Sequence, residues 1–381
     1  MRAVLVGGVL ALVTVGCAPA SGAPTPVPQS SRPSTAAAAA SATAAPRAIR
    51  LTRPALSRGD PPVLLRAVPE AGTFLAQAGG WRYDGARGTL DPIAAVEEPL
   101  EHPAPAGSLV AIEHGARTPA GYLISTELAI RDGPGGQERV IYRARQGPGS
   151  CCATFYWSGW SPDGTFVALW KVDFVSGSVD QDGRPLLVID AASGDTIDLG
   201  RTLLHGTTAW TPPHTLAFVS GAFRWLWDDK SVRLWSPEAG IRDITPSGSV
   251  GFAPAWSVDG RTLYFAGGPE SRYDPLPVFA GQEAGDHRIT VYDVATGRAR
   301  ALAHEPGFVE EGARPSRDGT RLLVLRRRTV EAPDLRSIPD APFEMWLTDA
   351  DGAHGTALLR ITHAFGAYGW LPEPTEWQWS E

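Results

Sequence analysis

The chain contains little cysteine, methionine or lysine. Three cysteines in 381 residues, Cys17, Cys151 and Cys152, cannot build the dense disulfide framework of a small secreted scaffold. Lys171 and Lys230 are the only lysines, and the net charge is −7. No basic stripe is present, which argues against a nucleic-acid partner. The run Arg326-Arg327-Arg328 reads as a solvated strand end. Catalytic signatures are missing too. There is no Gly-x-Ser-x-Gly elbow of a serine hydrolase. There is also no His-Glu-x-x-His zinc motif and no phosphate-binding glycine loop between a strand and a helix. Glu97-Glu98 and Glu310-Glu311 are adjacent carboxylates, but neighbours on a strand face opposite ways and make poor acid/base pairs. No cofactor and no metal are expected.

Long hydrophobic runs are absent as well. The apolar segment from Ala3 to Val15 follows Arg2. It is shorter than the ~20 residues that cross a bilayer and suits a signal-peptide core. It ends in "VTVGC", Val13 to Cys17, which resembles the lipobox of bacterial lipoproteins, where a small residue precedes the cysteine that receives lipid. The resemblance implies lipidation of Cys17 and an extracytoplasmic, membrane-anchored protein; ordinary secretion with cleavage after Ala18-Pro19-Ala20 is the alternative. From Ala18 to about Pro46 the chain is Ala, Pro, Ser, Thr and Gly, a composition that builds no core and reads as a disordered tether. The expected organisation is residues 1–17 signal peptide, 18–47 tether and 48–381 globular domain, a monomer.

What the chain does have is one phrase, repeated. "GWSPDGTFVALW", Gly159 to Trp170, combines Ser161-Pro162-Asp163-Gly164 turn chemistry with a β-rich apolar run. "AWSVDGRTLYFAG" (Ala255 to Gly267) and "RPSRDGTRLLVLR" (Arg314 to Arg326) repeat it, and "AWTPPHTLAFVSG" (Ala209 to Gly221) is a shorter form. A second strand–turn–strand phrase follows each, as in "LVIDAASGDTIDLG" (Leu187 to Gly200) and "TVYDVATGRARALA" (Thr290 to Ala303). The starts are 50, 46 and 59 residues apart, counted from Trp160 to Trp210 to Trp256 to Pro315. Such periods, with four strands each, are the mark of propeller blades. Fainter copies at about 104–144 and near Gly72 bring the count to six. "PTEWQWS", Pro374 to Ser380, supplies the strand missing from the first blade and is expected to pair with Gly72–Gln77, closing the ring. These repeats resemble the TolB-type six-bladed propeller, a relative of WD-repeat propellers. The resemblance covers about residues 70–381 and implies an all-β fold of four-stranded antiparallel blades. It says little of function, because propellers host binding modules, scaffolds and enzymes.

In such blades the Asp-Gly turns share one face. The long insertions Lys171–Arg184, Ser220–Lys230, Gly268–His287 and Arg327–Pro342, with the connection Gln146–Ala153, fall on the other, where binding is expected. Candidate anchors are Phe223, Arg224, Trp225, Trp227 and Asp228, with Arg272 and Tyr273 in the next insertion. Core packing of Trp225 and Trp227 is the rival reading. Cys151-Cys152 is either a vicinal disulfide, strained because neighbouring Cα atoms lie only ~3.8 Å apart, or two small buried hydrophobes. His205, His304 and His363 each follow an outermost strand and read as solvated loop residues, not metal ligands. Asp180–Gly183 and Asp349–Gly352 lack the further ligands of a calcium loop and read as turns. The expected function is binding of a protein, peptide or glycan. A secreted propeller enzyme of polysaccharide lyase or hydrolase type, with its site at the channel mouth, and an envelope assembly factor are the alternatives.

Overall fold

The computed structural model describes residues 49–51, 63–66, 80–84, 89–93, 101–117, 123–145, 153–172, 183–203, 207–221, 229–270, 286–331, 342–361 and 376–379. All belong to the unit Arg47–Glu381. Among them every regular element is a β-strand and every strand pairing is antiparallel, as for β10 with β11 and β22 with β23 below.

The strands run as successive meanders. After β1 (Ile49–Leu51), the first comprises β2 (Val63–Arg66), β3 (Gly80–Asp84) and β4 (Thr89–Ile93). The second is β5 (Glu101–Pro103), β6 (Leu109–Arg117), β7 (Leu123–Asp132) and β8 (Glu138–Arg143). The third is β9 (Thr154–Trp160), β10 (Phe166–Val172), β11 (Arg184–Asp190) and β12 (Thr196–Thr202). The fourth is β13 (Thr208–Thr211), β14 (Thr215–Ser220), β15 (Ser231–Ser236) and β16 (Gly240–Asp243). The fifth is β17 (Ser249–Trp256), β18 (Thr262–Pro269), β19 (Arg288–Asp293) and β20 (Arg298–Ala301). The sixth is β21 (Phe308–Pro315), β22 (Arg321–Arg328), β23 (Phe343–Asp349) and β24 (Thr356–Ile361), and β25 (Glu376–Trp379) ends the series. The second, third and fourth meanders join into one twelve-stranded sheet, but only through the single pairs Ser125↔Phe155 and Thr202↔Ser220.

Two pairings differ from expectation. β25 does complete the first meander, giving the order β25-β2-β3-β4, but its partner is Val63–Arg66, with Leu64 opposite Gln378. Gly72–Gln77, the expected partner, lies outside the described residues. No Asp-Gly turn precedes Gly72 to fix a hairpin there, whereas Val63-Leu64-Leu65 is a glycine-free apolar run suited to a strand. The second difference is β1, which adds a fifth strand to the sixth meander by pairing Ile49–Leu51 with Leu359–Ile361 of β24.

The repeated phrase has a mechanical explanation. In its turn the Ser161 hydroxyl donates to Asp163 Oδ1 (2.6 Å) and accepts from Phe166 N (2.9 Å), while Asp163 Oδ1 also accepts from Thr165 N (3.1 Å). Ser257 with Asp259 and Ser316 with Asp318 repeat this network. Gly164 has φ +73, and a Cβ there would lie 2.8 Å from the Ala106 carbonyl oxygen of the preceding meander. Glycine therefore satisfies both the left-handed backbone and the close approach. The tryptophans fasten neighbours. Trp160 Nε1 donates to the His102 carbonyl (2.7 Å) and Trp256 Nε1 to the Ala209 carbonyl (2.9 Å), each on the first strand of the preceding meander. The second strands, such as β10 and β18, are buried almost throughout, which is why they read as continuous apolar runs rather than alternating ones. The fourth strands β16 and β20 are exposed throughout.

The arginine run is also corrected. Arg326 and Arg327 are each only 1% exposed, not a solvated strand end. They are buried because β21 supplies each with a carboxylate. Glu310 stands opposite Arg326 and bonds it, while Arg327, whose cross-strand neighbour is Val309, bonds Glu311 at the bulge that follows Glu310. Asp349–Gly352 is a turn, closed by Gly352 N donating to the Asp349 carbonyl.

Candidate functional site

Cys17, Cys151, Cys152, Phe223, Arg224, Trp225, Trp227, Asp228, Arg272, Tyr273, His205 and His363 lie outside the described residues. The flanking strands nevertheless fix where the segments around the aromatic candidates attach. Residues 173–183, 221–230, 270–287 and 329–342 each join the second strand of a meander to its third. In an antiparallel meander that connection lies at the end opposite the first and third turns, so these four segments share the end away from the Ser-x-Asp-Gly turns.

A polar cluster that the sequence reading missed joins the second and third meanders. Glu113 on β6, 8% exposed, accepts a hydrogen bond from the Ser125 hydroxyl of β7 (2.5 Å), and its other oxygen lies 2.7 Å from His102 Nε2 on β5. The His102 ring stacks on Trp157 of β9, with centroids 4.2 Å apart and planes 9° from parallel. A β-bulge between His114 and Gly115 shifts the β6–β7 register beside Ser125, and a side chain at Gly115 would collide with the Ile124 backbone. An ionised carboxylate only accepts, so His102 Nε2 carries the hydrogen, and in the neutral ring Nδ1 is then an acceptor. An imidazole oriented by a buried carboxylate and supported by an indole face can accept a hydrogen bond or a proton. The cluster draws on four strands and two meanders, and no local sequence pattern announces it.

The sixth meander carries the densest charge. Arg326 Nε donates to Glu310 Oε1 (2.9 Å), whose second oxygen accepts from Ile289 N of the fifth meander (2.8 Å). Arg327 Nε donates to Glu311 Oε1 (2.8 Å) and its guanidinium lies 3.4 Å from the Phe343 ring centroid. Arg328 and Arg360 both donate to Glu344, and Arg360 reaches Glu331 as well. Burial pushes the Glu311 carboxyl up, against the pull of Arg327. Burial also opposes ionisation of Glu344, but Arg328, Trp346 and Arg360 outweigh it and hold that carboxyl below its ordinary value. Each carboxylate here is engaged by arginine, so the network ties strands together and offers no charge to a ligand. His304 lies in the loop between β20 and β21, as expected, but it is partly buried there and faces Asp286 at 3.2 Å. The guanidinium of Arg288 leads in holding Asp286 below its ordinary value. Among the described residues no group of three or more His, Cys, Asp or Glu could hold a metal ion.

No protein-family model and no curated protein sequence matches the chain. Similar solved structures include TolB from Acinetobacter baumannii, at 13% identity over 84% of this chain and 66% of that one, with a TM-score of 0.44. Dipeptidyl peptidase 4 from Porphyromonas gingivalis shows 11% identity over 68% of this chain and 39% of that one, with a TM-score of 0.43. An oligogalacturonate lyase from Vibrio parahaemolyticus shows 10% identity over 74% and 70%, with a TM-score of 0.41. The chain thus spans less than two thirds of the length of the first two. At these scores the likenesses assign no role to any residue of this chain.

Proposed function

We propose that the chain is an extracytoplasmic six-bladed β-propeller, held at a bacterial membrane by lipid on Cys17, that binds a protein, peptide or glycan through the end of its sheets bearing the long connections. The six meanders serve as blades and the β25–β2 pairing as the closure. One observation carries the reading: the two ends of the meanders differ. One end is built of short, internally hydrogen-bonded turns such as Ser161–Thr165. The other carries the segments 173–183, 221–230, 270–287 and 329–342. Variable segments on a fixed framework are where recognition concentrates, and Trp225, Trp227 and Arg224 are of the residue types that anchor interfaces.

The test is capture from an envelope extract by the full chain, by a Trp225→Ala/Trp227→Ala variant and by Val258→Ser at an exposed turn of the opposite end. The reading expects a partner retained by the full chain and by Val258→Ser but lost by the double variant. Unchanged recovery by the double variant would overturn it. Membrane association is tested separately, since Cys17→Ser should release the chain to the soluble fraction.

The His102–Glu113 pair favours a second reading, an enzyme acting on a polysaccharide, with the carboxylate orienting the imidazole for proton transfer. That reading expects turnover of a polysaccharide panel that is lost in His102→Gln. It fails if the full chain cleaves none, or if His102→Gln cleaves as well as the full chain.

A further inference from the structure

His214 meets two carboxylates at once. Its Nδ1 lies 2.7 Å from Asp163 Oδ2 and its Nε2 lies 2.9 Å from Glu238 Oε1. The three residues sit in three different turns: Asp163 between β9 and β10, His214 between β13 and β14, and Glu238 between β15 and β16. The contact thus spans the third and fourth meanders, and Asp163 N also donates to the Pro213 carbonyl across the same junction.

An ionised carboxylate accepts and does not donate, whereas a neutral imidazole has a single N–H. Two contacts of this length to two ionised carboxylates therefore need both ring nitrogens to carry hydrogen, which makes the ring an imidazolium. Asp163 is fixed in place by the Ser161 hydroxyl and Thr165 N. Glu238 is 70% exposed and can turn into water at little cost. The Phe166 ring stands edge-on to the imidazole, 5.6 Å away, and is backed by Trp235; neither brings charge. Among the described residues, the charged groups facing His214 are Asp163 from the third meander and Glu238 from the fourth.

We propose that His214 is a proton-operated clip: protonated, it fastens the Glu238 turn to the Asp163 turn of the neighbouring meander, and on losing its Nε2 proton it keeps Asp163 and releases Glu238. Asp163 leads in raising the His214 pKa above its ordinary value; burial opposes this and Glu238 adds to it. The clip is therefore closed at and below the ordinary histidine value of about 6.5 and opens as pH rises through the higher folded-state value. Opening frees the β15–β16 turn without severing the bond between meanders.

The test is a pH titration of the full chain labelled with ¹⁵N and ¹³C histidine, with His214 assigned by its loss in His214→Gln. Both ring nitrogens should be protonated at pH 6, and only Nδ1 above the transition. Glu238→Gln, at an exposed position, should lower the midpoint by roughly half a pH unit, the scale of an exposed ion pair. Amide protection at Ala239 and Gly240 should fall across the transition in the full chain and be low throughout in Glu238→Gln. A His214 ring neutral at pH 6, hydrogen on Nε2 above the transition, or a midpoint unmoved by Glu238→Gln would each overturn the proposal.

Discussion

Trp160 donates its indole N–H to the main-chain carbonyl of His102 across 2.7 Å. That bond is one of several between the third meander and the second, and it touches the backbone of the residue whose side chain stacks on Trp157. Trp256 makes the same reach to Ala209. Trp210, at the matching place in the fourth meander, finds no acceptor for its N–H among the described residues.

The contrast makes a prediction in which ring size cancels. Trp160→Phe and Trp210→Phe remove the same atoms, but only the first breaks a hydrogen bond between meanders. Urea unfolding should show Trp160→Phe to be the more destabilising by about 1 kcal/mol. Equal losses would mean that the tryptophan N–H does not fasten the meanders.

Arg326 and Glu310 form a pair in which each is 1% exposed. Arg326→Met alone strands a buried carboxylate and should cost about 3–5 kcal/mol. Combining it with Glu310→Gln, which removes the charge yet keeps an acceptor for Ile289 N, should cost clearly less than the sum of the single changes. Additive losses in a denaturant-based double-mutant cycle would place the stability elsewhere in the sheet.

Acid sensitivity should arise at Asp163. Its carboxyl is lowered to about 2, because the bonds from Ser161, His214 and Thr165 overcome an opposing burial effect. A depressed folded-state value means that the stability is present above the unfolded value, about 3.9, and is lost as pH falls from there toward 2. The fall in melting temperature between pH 4 and pH 2 should be shallower in Asp163→Asn than in the full chain. An identical slope would show that the turn carboxylate is not linked to folding.

The sequence showed what is local. Hairpins β9–β10, β17–β18 and β21–β22 are legible because Ser-x-Asp-Gly turn chemistry and a following apolar run are written side by side. Non-local pairing was not legible. Val63–Arg66 has no phrase that marks it as the partner of Glu376–Trp379, and Ile49–Leu51 has none that marks it as an edge for β24. Arg326-Arg327 reads as solvated until Glu310-Glu311 is laid opposite it, sixteen positions upstream. His102 and Glu113 meet once β5 and β6 pair, Ser125 joins them from β7, and Trp157 arrives from β9. The aromatic candidates Phe223 to Trp227 rest on residue type and on the topology of the flanking strands.

The proposed closure of the array rests on the pairing of β25 with β2, in which Gln378 stands opposite Leu64. With Cys151 and Cys152 replaced by serine, cysteines at these two positions (Leu64→Cys, Gln378→Cys) should join on mild oxidation, seen as faster migration on a non-reducing gel. Failure of that pair to join, with ready cross-linking of Thr73→Cys to Gln378→Cys instead, would contradict the account.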